Sequence, residues 1–131
     1  MYGFQRDLEV EFSKLGARKI ESSGTPSAGA GTLTTASHSV KGRLLLNHFD
    51  ATVTITIEDN GTGSGFIQAT MPFAAREKTT VSGTDFGVTG VTAPSALCGY
   101  VEGTNLVVVR YDGTYPGDDD RTLSVRVAYQ I

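Results

Sequence analysis

Thr52-Val53-Thr54-Ile55-Thr56-Ile57, then Glu58-Asp59-Asn60-Gly61-Thr62-Gly63-Ser64-Gly65, then Phe66–Met71: this stretch decides how the 131-residue chain is read. Val53, Ile55 and Ile57 recur at every second position with threonines between them, so an extended segment carries branched apolar side chains on one face and hydroxyls on the other. Asn60-Gly61 and the glycines after it take positive φ at little cost, and Phe66–Met71 resumes the extended pattern. The spacing predicts a hairpin with one inner face. Leu123, Val125, Val127, Tyr129 and Ile131 alternate with Thr122, Ser124, Arg126, Ala128 and Gln130, which predicts a last strand of the same half-buried kind.

Composition agrees with this reading and narrows the function. Sixteen glycines, four prolines and many Thr and Val residues suit strands and tight turns. The length suits one domain. At 39% hydrophobic and 19% charged residues the chain is too apolar to be disordered, and no apolar run approaches the roughly 18 residues of a membrane span. Met1–Ile20 carries charges throughout, unlike a signal peptide, so the chain reads as soluble, without membrane insertion. Eleven Lys and Arg against 14 Asp and Glu give a net charge of −3, and without a basic cluster nucleic acid is not an expected partner. The lone Cys98 excludes an internal disulfide. With only two histidines it also excludes a closed Cys/His zinc site within one chain. No metal or cofactor is expected, and Cys98 reads as a small apolar filler of the core.

Two features complicate a simple sandwich. Phe4, Leu8, Phe12 and Leu15 fall on one helical stripe, yet Asp7–Phe12 also alternates strictly, so the pattern does not decide between helix and strand. Ser22–Gly31 has few side chains to bury and reads as a linker or an irregular lead into the second zone. Leu106-Val107-Val108-Val109 and Leu44-Leu45-Leu46 are apolar at consecutive positions, so a strand built from either presents hydrocarbon on both faces. Two packed sheets cover only their inner faces, so the rest needs a loop of the same chain or another subunit, and for a chain this small association of identical chains is the expected cover.

Taken in order, Thr25-Pro26, Ser39-Val40-Lys41-Gly42-Arg43, Ile57–Gly65, Met71-Pro72-Phe73, Tyr111-Asp112-Gly113-Thr114-Tyr115-Pro116-Gly117 and a strand ending at Tyr129 resemble the C-terminal domain of bacteriophage tail fibres and related virion fibre or receptor-binding proteins. The resemblance spans about Thr25–Ile131, and its most specific part is Val53–Phe73. It implies an all-β, jelly-roll-like antiparallel β-sandwich of about eight strands, trimeric, at the tip of a fibre in the virion. Residues 1–24 are then a short N-terminal anchoring segment and linker, joining other virion proteins, and 25–131 the fibre-tip-like domain. The function implied is a homotrimeric phage fibre protein that binds a host cell-surface glycan or polysaccharide. Two alternatives stand beside it: a structural virion cap, decoration or head-fibre protein that binds no receptor, and a carbohydrate-binding module.

The candidate chemistry is that of binding. Tyr111, Asp112 and Tyr115 combine aromatic rings with a carboxylate in turn-rich sequence, the mixture that the apolar C–H faces and hydroxyls of a sugar require. Asp118-Asp119-Asp120 reads as a solvated turn rather than a cation site, because three consecutive acids cannot all face one ion. Glycosidic chemistry needs two facing carboxylates, and nothing in the spacing of Glu102 and Asp112 makes them converge. Gly63-Ser64-Gly65 is accounted for by the hairpin and not by a nucleophile elbow. No catalytic residue is assigned, and the protein is not read as an enzyme.

Overall fold

The computed structural model describes residues 17–87 and 94–131. Nine strands form within them: β1 (Arg18–Gly24), β2 (Ser27–Ala30), β3 (Thr35–Leu45), β4 (His48–Asp59), β5 (Ser64–Thr70), β6 (Thr79–Asp85), β7 (Ser95–Glu102), β8 (Asn105–Arg110) and β9 (Arg121–Gln130). They make one sheet in the order β1-β3-β4-β9-β6-β7-β8-β5-β2, with every neighbouring pair antiparallel. The protein is therefore all-β, and no helix occurs among the described residues.

The sheet cannot be flat. β1 and β2 are its two outermost strands, yet only Thr25-Pro26 separates Gly24 from Ser27. Three peptide steps reach at most about 11 Å, so the sheet curls until its edges nearly meet, with buried Pro26 at the seam. The stretch read as a linker therefore ends one edge strand and forms all of the other. Its small residues have a packing reason. Gly29 lies against the Phe66 ring, and a Cβ there would come within 2.6 Å of it. Arg18–Gly24, placed before the division at residue 24, is an edge strand of this same sheet. Residues 1–16, on which the helix-or-strand question falls, lie outside the described residues.

The alternating patterns fix the register, but the hairpin read across Asn60–Gly65 does not form: β4 pairs with β3 and β9, whereas β5 pairs with β8 and β2 on the far side of the core. Val53 and Ile55 of β4 lie opposite Val125 and Leu123 of β9, and Val53 also faces Val40 of β3, all at 0–1% exposure. From the far side Ile67, Leu106, Val108 and Val101 fill the space, each at 0–1%. Burying side chains of this size contributes about 1.5–3 kcal/mol apiece.

At one end of the barrel-like core, called the hairpin end below, Phe49 packs edge-on against Phe73 and Tyr129 at 5.2 and 5.4 Å between centroids. Tyr129 Oη donates to the Phe73 carbonyl at 2.7 Å. Burial pushes the Tyr129 phenol up to about 12. The Met71-Pro72-Phe73 stretch thus closes this end of the core, with Met71 itself buried.

The strands that are apolar on both sides behave differently from expectation. Leu106 and Val108 point inward, whereas Val107 points outward and is still only 7% exposed. In the register Val107 lies between Gln68 of β5 and Tyr100 of β7, whose side chains share its outer face. The chain therefore shields Val107 by itself. Leu44 is likewise buried, but Leu46, in the two-residue β3–β4 turn, is 73% exposed with φ 54°. Cys98 is not a core residue: it is exposed on the outer face of β7.

Candidate functional site

Antiparallel pairing gathers three connections, 31–34, 60–63 and 111–120, together with the end of β6 and the start of β7, at the end opposite the aromatic cluster. Within this loop end, the Asn60–Gly63 turn forms because Asp59 Oδ1 accepts the Gly61 N–H at 3.0 Å and Gly61 takes φ 56°. The 31–34 connection is tied to it on both sides. Thr62 N–H donates to the Thr32 carbonyl at 3.1 Å, and Thr32 N–H donates to Thr62 Oγ1 at 3.0 Å.

The long 111–120 connection is pinned to the same turn. Tyr115 Oη donates to Asn60 Oδ1 at 2.6 Å, Asp119 Oδ1 accepts the Asn60 N–H at 2.8 Å, and Asp120 N–H donates to the Glu58 carbonyl at 3.3 Å. The aspartate run is solvent-exposed, as read, but one member clasps a neighbouring loop.

The three candidate residues lie in this one connection and have different tasks. Asp112 folds its own turn, accepting from Thr114 Oγ1 at 2.6 Å and Thr114 N–H at 3.0 Å. The Thr114 hydroxyl is the main cause that holds the Asp112 carboxyl below its usual range. Tyr115 is half-buried against the core margin, and burial, followed by the Asp118 charge, raises its phenol. Its hydroxyl is spent on Asn60. Tyr111 alone stands free as a ring, 71% exposed on the strand parity that faces outward.

Two features at this end escape a reading of motifs. Phe86, just beyond β6, is 54% exposed and shares the outward parity of Tyr111, two strands away across β7. Beneath it, Asp85 is wholly buried and accepts from Arg121 NH1 at 2.8 Å, from Arg110 NH2 at 3.4 Å and from the Gly87 N–H at 2.8 Å. Arg121 also reaches Asp118 at 3.7 Å. Parity was the available signal. Asp85 continues the inward row of Val81 and Gly83, and Arg121 precedes Leu123 on the inward row of β9, so two opposite charges had to meet inside.

Glu102 and Asp112 are not brought together. Glu102 ends β7 at the hairpin end, whereas Asp112 follows β8 at the loop end, about a full strand length away. Among the described residues no three His, Cys, Asp or Glu side chains are grouped to hold a metal ion. His38 is buried at 5% exposure and points inward from β3, and burial lowers its pKa against a hydrogen bond to the Thr70 backbone. The arrangement at the loop end offers exposed aromatic surface on a framework of mutually clasped turns, which is the chemistry of a binding surface. No protein-family model, no curated protein and no solved structure matches the chain.

Proposed function

We propose that this chain is a phage virion fibre protein of the tail-fibre type. In this reading it is a jelly-roll-like sandwich whose three copies display their loop ends to a glycan on the host cell, with the N-terminal segment joined to other virion proteins. The observation that carries the recognition role is the Tyr111 ring, 71% exposed beside a connection held in place by Tyr115, Asp119 and Asp120. The Tyr111 N–H donates to the Ala96 carbonyl at 3.0 Å, so the backbone that carries the ring is already placed when a sugar face settles on it. Weak contacts of this kind, repeated three times on one particle, gain avidity where the geometry lets them engage together.

The outer face of β7 and β8 supports the trimer. Ala96 and Cys98 are exposed on it, Val109 is half-buried, and Tyr111 stands at its rim. Packing copies through that face would leave each Tyr111 at a subunit margin.

A structural fibre or cap protein without a receptor is the second reading. The internal use of the Asp112 carboxylate and the Tyr115 hydroxyl favours it. Labelled full-length protein applied to host cells separates the two. Under the recognition reading, Tyr111→Ala abolishes cell binding while light scattering still reports three chains. Wild-type protein that forms the trimer and binds no cells leaves the structural reading. A monomer in solution removes both.

A further inference from the structure

One run of chain, 18–30, closes the curled sheet by changing partners. Arg18–Gly24 pairs with β3 and stops with Gly24 opposite His38, whereas Ser27–Ala30 pairs with residues 64–68 of β5. Thr25 and Pro26 carry the chain from one edge to the other, so His38 is the last residue of β3 that β1 covers. β3 and β5 are each second from an edge of the sheet. The His38 ring points inward from β3 and hydrogen-bonds to the backbone of Thr70 on β5, which makes it a brace across the seam from the inner side.

The surroundings suit a neutral imidazole. The ring is 5% exposed, its Nδ1 has no hydrogen-bond partner, and a Cβ on Gly24 would lie 2.9 Å from its Cε1. The inward positions nearest to it are Ser22 of β1, Ala36 and Val40 of β3, Ile55 of β4 and Ala69 of β5, all uncharged, and Thr25 and Pro26 above are uncharged too. Charged groups do share these rows, but at a distance or with other partners. Arg18 is at the exposed far end of β1, about 20 Å from Gly24. Asp59, at the exposed end of β4, accepts the Gly61 N–H, and Asp85 of β6 is bound to Arg121 of β9 at 2.8 Å. A proton on His38 therefore puts a charge into hydrocarbon and turns an unpaired acceptor into an unpaired donor. Both costs are relieved by water.

We propose that His38 is an acid-operated latch on the seam: taking up a proton releases β1 from β3, starting at Gly24, and opens the curled sheet along that edge. The ring lies against Gly24 at the place where β1 stops covering β3, so the shortest way to water passes there. β1 is held by one neighbouring strand, whereas β3, β4 and β9 are each held by two, so β1 lets go first. Burial lowers the ring from its ordinary 6.5, and this fixes the sign. The closed seam has the full benefit of neutral His38 above 6.5 and loses it as the pH falls from there through the lowered value. The latch requires neither a glycan ligand nor a trimer.

The test is amide hydrogen exchange of the full chain by NMR, corrected for intrinsic rates, with the His38 ring resonances followed in the same titration. Between about pH 7.5 and about pH 5, protection at residues 19–24 is expected to fall about tenfold, while β4 and β9 change by less than about twofold. His38→Gln and, independently, His38→Phe should hold the protection of residues 19–24 constant over that range, and His48→Gln should leave the response intact. If neither His38 variant folds, the wild-type ring decides, since its titration midpoint must fall below 6.5. A midpoint at or above 6.5, an acid response that survives in the His38 variants or vanishes with His48→Gln, or equal loss of protection in β1, β4 and β9 would each overturn the latch.

Discussion

The two ends of the curled sheet close the same core by opposite means. At the hairpin end three rings, Phe49, Phe73 and Tyr129, meet edge to face over hydrocarbon, with one hydrogen bond from Tyr129 to the Phe73 carbonyl. At the loop end the inward positions hold Asp85, Arg121 and Arg110, and the turns above are laced by Asn60, Tyr115 and Asp119. Hydrophobic packing tolerates small changes of angle and asks only for area. A buried ion cluster demands that each partner stay in place. The loop end is therefore the one where a single altered side chain displaces several connections at once.

The largest effect expected from breaking this comparison is at the hairpin end. Phe49 is wholly buried and central to both ring contacts, so Phe49→Ala removes its transfer free energy and leaves a cavity. A loss of about 3–5 kcal/mol is expected from urea unfolding curves. Because no charge is involved, the loss should be the same at low and high salt. A substitution costing under about 1 kcal/mol would show that Phe73 and Tyr129 close the end without it.

Next in size is the ion cluster. Asp85→Ala leaves Arg121, 7% exposed, with only the exposed Asp118 carboxylate at 3.7 Å, and removes the acceptor of the Gly87 N–H. Arg110, more than a quarter exposed, can turn toward water. A cost of about 3 kcal/mol follows from the uncompensated buried cation. The informative partner is Asp85→Leu combined with Arg121→Met, which should regain most of the stability, because well-packed apolar groups can replace a buried pair. If the double variant is as unstable as the single one, the cluster is holding the loops rather than merely neutralising itself.

How much of this was legible in the sequence follows the same division. Strict alternation in Val53–Ile57 and Leu123–Ile131 announced β4 and β9, and Asn60-Gly61 announced a turn after β4, but not that the chain crosses there to the far side of the core, where β5 pairs with β8 and β2 instead of closing a hairpin on β4. β1 and β2 were hidden. Ser22–Gly31 is poor in large side chains, and the need for small ones arises only when an edge strand approaches the Phe66 ring from a distant part of the chain.

Val107 misled for a related reason. Its shelter comes from Gln68 and Tyr100, neighbours that only the strand order supplies. At the site, Tyr111, Asp112 and Tyr115 fell in one loop as their spacing required, but sequence does not say which of them the fold itself consumes. Phe86 and the Asp85 cluster needed the parity of β6 and β9 read together.

A smaller effect sharpens the contrast within the loop end. Tyr115→Phe deletes the hydroxyl that donates to Asn60 Oδ1 and keeps the ring against the core margin. Replacing one such bond costs about 1 kcal/mol. The more telling readout is local: the amides of Asn60–Gly63 should exchange with solvent faster, while those of β4 and β9 remain protected. Uniform acceleration across both would place Tyr115 in the global core rather than in the loop clasp.

The last comparison returns to the hairpin end, where one residue breaks the pattern. Leu46 opens the two-residue turn between β3 and β4 with φ 54°, and its side chain is 73% exposed. A left-handed conformation costs a β-carbon-bearing residue roughly 1 kcal/mol, and glycine at the first central position of such a turn avoids that cost. Leu46→Gly should therefore stabilise the isolated chain slightly, by less than about 1 kcal/mol once the greater freedom of glycine in the unfolded state is subtracted. It should show as a small rise in the urea midpoint with an unchanged slope. The same variant examined in the assembled oligomer discriminates further: if stability falls there, the exposed leucine is buried against a second copy, and the strain in its backbone is retained for that contact.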